Sequence, residues 1–132
     1  MKTRTATAVL PAPRERVFTY LSDVENLPEW ATEFARELKV VGGRHKVVNG
    51  LGEFFFEIRA DAETGVIDML AGPDEVQLAL FPSRVVPLGD DRSAFTFTMF
   101  QGPGQSDELF ESQYASLLRE LENVERRFAG GD

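Results

Sequence analysis

Hydrophobic and polar residues alternate along much of the chain, with the period of two that is typical of β-strands. This alternation predicts strands over residues 3–10, 34–41, 44–49, 52–60, 65–71, 75–87 and 93–101. Gly42-Gly43 and Asn49-Gly50 are turn signals, and Asn-Gly is a favoured two-residue hairpin turn. Pro82 cannot donate a backbone hydrogen bond to a neighbouring strand, so a bulge or an edge position is predicted there.

Two short helices are predicted between the first and second strands. Pro13 suits the first position of a helix, where its missing N–H leaves no bond unmade. Ser22 and Glu25 have the spacing of a capping box, so a second helix is expected to begin at Ser22. Pro28 limits that helix to a turn or two, and it is expected to end near Trp30.

The last predicted helix has the clearest pattern in the chain. Ser106 is a good N-cap, and Asp107 and Glu108 follow in the first turn, where the helix dipole favours negative charge. An apolar stripe runs along one face of this helix and consists of Phe110, Tyr114, Leu117, Leu121, Val124 and Phe128. Gly130-Gly131 is predicted to end it.

This order of elements predicts an α+β fold, β-α-α-β(about 6)-α. One long amphipathic C-terminal helix is expected to lie across an antiparallel, twisted sheet that wraps around it. Such a sheet leaves an internal space against the helix. Side chains either fill that space as a packed core or line it as a cavity, and the periodicity does not separate the two.

Composition narrows the classes of function. The net charge is −8, and so acidic a surface repels nucleic acid and anionic lipid, so neither is expected as a partner. The sequence has no cysteine, no signal-peptide pattern and no apolar run of the length that spans a membrane. A soluble protein of the cytoplasm, without membrane insertion, is therefore expected. Eleven phenylalanines suit a dense core or the lining of an apolar pocket.

Two segments carry a resemblance to a known family. The stretch ATAVLPAPRERVFTYLSDVENLPEWATEFARELKV and the tail DELFESQYASLLRELENVERRF resemble the START-like, or SRPBCC, superfamily, in particular its polyketide cyclase/dehydrase branch. The resemblance implies a helix-grip fold and a single START-like domain over residues 1–132. The superfamily includes lipid carriers, hormone binders, aromatases, cyclases and chaperone-like accessory subunits, so the fold does not fix the function.

The resemblance also implies an apolar cavity between the sheet and the last helix. Mapped onto this sequence, its expected lining is Trp30, Phe34, Phe54, Phe56, Ile58, Met69, Phe95, Phe97, Met99, Phe110, Tyr114, Leu117 and Leu121. The alternative is that these side chains pack against one another as a solid core.

Polar candidates for ligand contact are few. Asp68 interrupts an apolar strand, and Arg84 follows an apolar run in the next one, so the two are expected either to pair or to bind a ligand. The alternative is that both face solvent on the outer side of the sheet. The hydroxyl of Tyr114 either orients a ligand or reaches a backbone partner.

The sequence assigns no catalytic residue, metal site or cofactor. His45 is the one histidine, and its cationic neighbours and nearby turn favour exposure over general-base catalysis. One histidine without cysteine is a poor donor set for a transition metal. The acidic group Asp107, Glu108 and Glu111 sits at a helix start, where the helix dipole alone explains it.

Three functions follow from these features. The first is binding of a small hydrophobic molecule, such as a lipid, isoprenoid or polyketide-like compound. The second is a cyclase, aromatase or dehydratase, which requires His45, Asp68, Arg84 or Tyr114 to converge in the pocket. The third is an accessory protein with a vestigial cavity. Phe55, Leu70 and Phe100 lie on otherwise polar faces, which suits a homodimer or a partner surface.

Overall fold

A computed structural model describes residues 1–130, which form an eight-stranded antiparallel sheet and three α-helices. The strands are β1 (Thr3–Leu10), β2 (Glu37–Val41), β3 (Arg44–Asn49), β4 (Gly52–Asp61), β5 (Val66–Gly72), β6 (Ala79–Phe81), β7 (Ser83–Pro87) and β8 (Ser93–Phe100). The helices are α1 (Arg14–Leu21), α2 (Leu27–Trp30) and α3 (Asp107–Ala129), with a 3₁₀ turn over Val24–Asn26. The predicted α+β class and order of elements are confirmed.

The sheet order places the two ends of the chain together. It runs β1-β8-β7-β5-β4-β3-β2, and the short β6 pairs with β5 beside this path. β1 and β8 are antiparallel neighbours along their whole length, from Thr3 opposite Phe100 to Leu10 opposite Ser93. Because α3 follows β8 through a short loop, it folds back across the sheet and packs closely on β1.

The entry to the second helical segment differs from the prediction. Ser22 ends α1, since its backbone N–H donates to the Phe18 carbonyl at 2.9 Å. Asp23 caps the following 3₁₀ turn instead, with its carboxylate accepting from the Glu25 N–H at 3.0 Å. The predicted capping box at Ser22 is therefore wrong, because that residue is the C-cap of the preceding helix. The segment does end at Trp30, as predicted.

The hairpin between β3 and β4 turns one residue later than predicted. Asn49 still pairs across the strands with Gly52, so the two turn residues are Gly50 and Leu51. The Asn49 side chain supports this turn by accepting from the Leu51 N–H at 2.9 Å. Farther along, Pro82 separates β6 from β7, so the predicted long strand over 75–87 is two short ones.

The last helix follows its prediction closely. The Ser106 hydroxyl accepts from the Leu109 N–H at 3.1 Å, which caps the helix. The predicted stripe is buried except at Tyr114, which is half-buried. The helix ends at Ala129 and Gly130 follows it, whereas Gly131 lies outside the described residues. Within residues 1–130, no helix combines the length and apolarity needed to cross a membrane.

Candidate ligand-binding cavity

A cavity of about 450 Å³ lies between the inner face of the sheet, α2 and the middle of α3. Most of its wall is apolar. The apolar lining residues are Leu27, Trp30, Ala31, Phe34, Leu51, Phe56, Met69, Phe81, Phe97, Met99, Leu109 and Leu117. They come from α2, the loop between α2 and β2, four strands, the β3–β4 turn and α3, so distant parts of the sequence converge on one space.

The structure brings seven of the thirteen apolar residues expected at the cavity into its lining. These are Trp30, Phe34, Phe56, Met69, Phe97, Met99 and Leu117. The other six lie outside it. Phe95, Phe110 and Leu121 are buried in the packed part of the core, Phe54 and Ile58 pack partly buried against that core, and Tyr114 is half-buried on α3.

The two polar residues expected to contact a ligand lie on the other side of the sheet. Met69 points into the cavity, so its neighbour Asp68 points to the outer face, because successive strand residues alternate. Arg84 is exposed, and its guanidinium donates to the Thr64 carbonyl at 3.0 Å. The structure therefore places both residues as in the solvent-facing alternative.

The four side chains on which an enzymatic mechanism depended all lie outside the lining. His45 is half-buried on β3, directly opposite Phe56 of β4. The Tyr114 ring lies beneath the Arg4 guanidinium, whose carbon is 6.0 Å from the ring centre. Together with Asp68 and Arg84 on the outer face, these positions do not bring the four groups together.

The three residues considered for a partner surface differ in how exposed their side chains are. The Phe55 ring is covered by Lys46, whose ammonium is 4.5 Å from its centre, and by Arg44 at 5.5 Å. Leu70 is buried, and only Phe100 is exposed. The structure thus shows no shared apolar patch formed by these three described residues.

One functional group in the cavity is not among the residues predicted from the sequence. Glu120 lines the cavity and is only 5% exposed. One carboxylate oxygen, Oε2, accepts from the backbone N–H of Phe34 at 2.9 Å and of Glu33 at 3.1 Å. Burial raises the pKa of Glu120 to about 7, because the charged form loses solvation, and the two N–H bonds only partly offset this.

A signal for Glu120 was present in the sequence. It lies three residues after Leu117 and four before Val124, which puts it on the buried stripe of α3. An acidic residue at such a position is rarely buried without a partner. Here the partners are backbone groups of the loop between α2 and β2, which the helical pattern alone cannot identify.

The same loop is tied to α3 by several further polar contacts. The Arg119 guanidinium donates to the Glu33 carboxylate at 2.7 and 2.8 Å, and the Ser116 hydroxyl donates to it at 2.9 Å. The hydrogen bond from Arg119 holds the pKa of Glu33 below its ordinary value. The Asn123 amide also donates to the Trp30 carbonyl at 2.9 Å. These contacts fix the wall that carries Trp30 and Phe34.

Polar residues gather where the cavity meets solvent. Arg36 is exposed, and its guanidinium lies over Gly50 of the β3–β4 turn. The Asn49 amide donates to the Phe34 carbonyl at 2.9 Å and so joins this turn to the loop. Within residues 1–130, no cluster of three or more His, Cys, Asp or Glu side chains could hold a metal ion.

Comparison with known proteins identifies the fold of this chain but assigns the chain to no family. No family model matches the chain, and no curated protein matches it. Solved structures do match, and three are informative. A START superfamily protein from Mycobacterium smegmatis has a TM-score of 0.67 and 18% identity, and the match covers 98% of this chain and 99% of that one.

The other two matches have similar coverage. The Zhui aromatase/cyclase from Streptomyces sp. R1128 has a TM-score of 0.69 and 17% identity, over 98% of this chain and 92% of that one. The dimeric Aha1 from Colwellia psychrerythraea has a TM-score of 0.70 and 11% identity, over 97% and 96%. The chain therefore has the START-like (SRPBCC) helix-grip fold, of the type seen in that aromatase/cyclase. The predicted resemblance is confirmed at the level of fold.

Proposed function

We propose that this protein binds a small, predominantly apolar molecule, such as a lipid, isoprenoid or polyketide-like compound, in the cavity beneath α3. The observation that carries the proposal is the cavity of about 450 Å³ with its wall of aromatic, leucine and methionine side chains. Concave apolar spaces with a few polar groups are the usual form of a small-molecule site.

The energetics of such binding are favourable. Transfer of apolar surface from water contributes about 25 cal/mol per Å², so burying roughly 300 Å² contributes about 7 kcal/mol before ordering costs. The end of α2 with Trp30 and the following loop with Phe34 are held to α3 by hydrogen bonds, so this wall is formed before a ligand arrives. A preformed wall reduces the ordering cost that the ligand must overcome.

The direct test is binding of a neutral apolar fluorophore, N-phenyl-1-naphthylamine, to the protein and to two variants. Ala31→Phe adds a ring to a residue that lines the cavity, whereas Ala115→Phe adds one to α3 outside the lining. We expect fluorescence enhancement with the wild type and Ala115→Phe and much weaker enhancement with Ala31→Phe, with circular dichroism confirming that all three are folded. Equal enhancement in both variants would place the probe elsewhere and contradict the proposal.

An acid–base enzyme acting on such a ligand is the second candidate, and Glu120 is the observation that favours it. A carboxyl group with a pKa of about 7 exchanges protons at neutral pH, as general acids and bases must. The likeness to an aromatase/cyclase supports the same candidate. Incubation with a poly-β-ketone compound tests it. Wild type but not Glu120→Gln should yield a cyclised product, and an unchanged compound with both proteins would remove this candidate.

Location and assembly remain proposals as well. We expect a cytoplasmic protein. We also expect that it does not bind nucleic acid, because its net charge is −8. The dimeric state of the Colwellia Aha1 structure supports a homodimer. Light scattering on the purified protein tests this point, and a mass of one chain across the accessible concentration range would contradict it. An accessory role with a vestigial cavity is supported if no apolar probe binds.

A further inference from the structure

The Glu120 carboxylate is only half satisfied by the protein. Oε2 accepts two backbone N–H bonds, which occupy both of its lone pairs. Oε1 has no hydrogen-bond partner within residues 1–130. Within residues 1–130, only Glu111 Oε1 is a side-chain oxygen that is both fully buried and without a hydrogen-bond partner. Glu120 Oε1 also has no partner, so it is not fully buried. Since Glu120 lines the cavity, Oε1 faces the space that a ligand would fill.

We propose that Glu120 Oε1 is the polar anchor of the site and accepts a hydrogen bond from the ligand, so that the bound molecule carries a hydroxyl or ammonium group on an apolar body. This inference rests on the proposed function, and it adds the chemistry of the ligand's polar end. The apolar body lies against the aromatic and methionine wall, and its donor group points to the middle of α3.

The neighbouring charges are consistent with an acceptor at this position. Glu33, from the loop, and Arg119, from α3, are the charged groups nearest the carboxyl, and they are bonded to each other. Arg36, the one cationic side chain among the lining residues, is exposed, and its guanidinium lies over Gly50. The Arg119 guanidinium is thus engaged by Glu33 rather than by Glu120. The negative charge of Glu120 is stabilised mainly by two backbone N–H groups, and a ligand donor would add a third bond.

The backbone bonds also fix which oxygen can carry a proton. Protonation of Oε2 would displace an N–H donor, so the proton of the neutral form resides on Oε1, facing the cavity. A donor ligand therefore binds the ionised form, and an acceptor such as a ketone binds the neutral form. Because burial raises the pKa of this carboxyl to about 7, binding of a donor ligand should strengthen as the pH rises through neutrality.

Three probes with the same carbon skeleton length separate these possibilities: octylamine, a donor when protonated; octanol, both donor and acceptor; and octan-2-one, an acceptor only. Trp30 supplies the signal, because it is the sole tryptophan of the chain and lines the cavity. At about pH 8 we expect the amine and the alcohol to bind about tenfold more tightly than the ketone, which corresponds to one charge-assisted hydrogen bond of roughly 1.4 kcal/mol.

Glu120→Gln reverses the polarity of the anchor at constant shape. The amide oxygen would keep the two backbone N–H bonds, and the amide nitrogen would face the cavity as a donor. We expect the variant to lose about tenfold in amine affinity, to lose less for the alcohol and to gain for the ketone. Glu122→Gln, on the exposed face of the same helix, removes the same charge and should leave all three affinities unchanged.

The outcomes separate the two proposals. Failure of all three probes to bind the wild type would contradict the proposed function itself. Binding of all three with the same order of affinity in the wild type and Glu120→Gln would leave the cavity function intact and overturn the anchor. If Glu120→Gln does not fold, pH dependence in the wild type decides. Amine affinity that rises between about pH 5.5 and 8.5 while ketone affinity falls supports the anchor, and parallel curves contradict it.

Discussion

The space between α3 and the sheet has two parts that are built from similar side chains and behave differently. Around Phe95 and Val124, both completely buried, the side chains of the sheet and the helix form a closed core. Around Phe97, Met99 and Leu117, the same strand and the same helix border the cavity. We call these the packed region and the cavity region. Phenylalanines occur in both, so residue type does not distinguish them.

The difference arises from what faces each part. In the packed region, β1 presents the small side chain of Ala8 toward the interior opposite Phe95, and α3 packs on β1. In the cavity region, the loop between α2 and β2 is bonded to Glu120 Oε2 and Arg119 of α3, and the end of α2 is bonded to Asn123. Directional bonds hold that wall at a distance without filling the space behind it. The cavity therefore depends on hydrogen bonds, rather than packed side chains, that fix its wall to α3.

The largest expected difference between the regions is in the cost of removing a ring. Phe95 and Phe97 are two residues apart on the same face of β8, and Phe97 is 9% exposed at the cavity while Phe95 is fully buried. We expect Phe95→Ala to lower the free energy of unfolding by about 3–5 kcal/mol and Phe97→Ala by about 1–3 kcal/mol, because a ring beside a void has fewer neighbours to lose. Urea denaturation measures both, and equal losses would contradict the distinction.

Glu120 gives the next largest effect, through pH. Its pKa is about 7 in the folded protein and ordinarily 4.5, so between these values the folded state binds more protons than the unfolded state. The free energy of unfolding of the wild type should therefore fall as the pH rises, by up to about 3 kcal/mol between about pH 4.5 and 8. Glu120→Gln lacks this contribution.

The informative quantity is the difference in unfolding free energy between wild type and Glu120→Gln. Thermal or urea unfolding at several pH values should show the wild type losing stability relative to the variant as the pH rises. A difference that stays constant with pH would show that the carboxyl does not titrate in this window.

Replacing an alanine by a larger residue tests the two regions by adding side-chain volume instead of removing it. Ala8 is buried in the packed region opposite Phe95, whereas Ala31 lines the cavity. Ala8→Leu should cost about 1–3 kcal/mol through overpacking, and Ala31→Leu less than about 1 kcal/mol, because its added methyl groups enter open space. Denaturant midpoints of the two variants check this, and a larger loss for Ala31→Leu would argue that the cavity region is already filled.

The smallest effect concerns the join between the β3–β4 turn and the loop. Asn49 donates to the Phe34 carbonyl and accepts from the Leu51 N–H. Asn49→Ala should lower stability by about 1 kcal/mol and loosen the cavity wall. Amide hydrogen exchange at Phe34 and Leu51 is the measurement. Faster exchange confined to these segments is expected, and unchanged protection would show that the wall is held without this contact.

Much of the fold could be predicted because each helix or strand has a recognisable pattern within its own stretch of sequence. The stripe on α3, the Ser106 cap and the strand alternation depend on residues near in sequence, and all appear in the structure. Element boundaries were less accurate where two local signals compete. Ser22 ended one helix instead of capping the next, and Asn49 remained in its strand while Gly50 and Leu51 made the turn.

The site was harder to predict because its geometry depends on the spacing between layers. Strand alternation shows that Phe95 and Phe97 share the inner face but gives no distance from either ring to α3. Alternation shows that Asp68 and Met69 point to opposite faces of the sheet, but not which of them faces inward. The structure answers this, because Met69 lines the cavity. The sequence does show that Glu120 is an acidic residue on the apolar stripe of α3. Its role depends on two backbone N–H groups nearly ninety residues away, which no local pattern contains.

Native mass spectrometry of the protein purified from its source organism tests the central claim most directly, followed by the same measurement after denaturation. If the cavity binds an apolar ligand, the native mass should exceed that of the bare chain by one small molecule, lost on denaturation, or should come to do so after incubation with a lipid extract of that organism. Only the bare chain, under both conditions, would contradict a ligand-binding function.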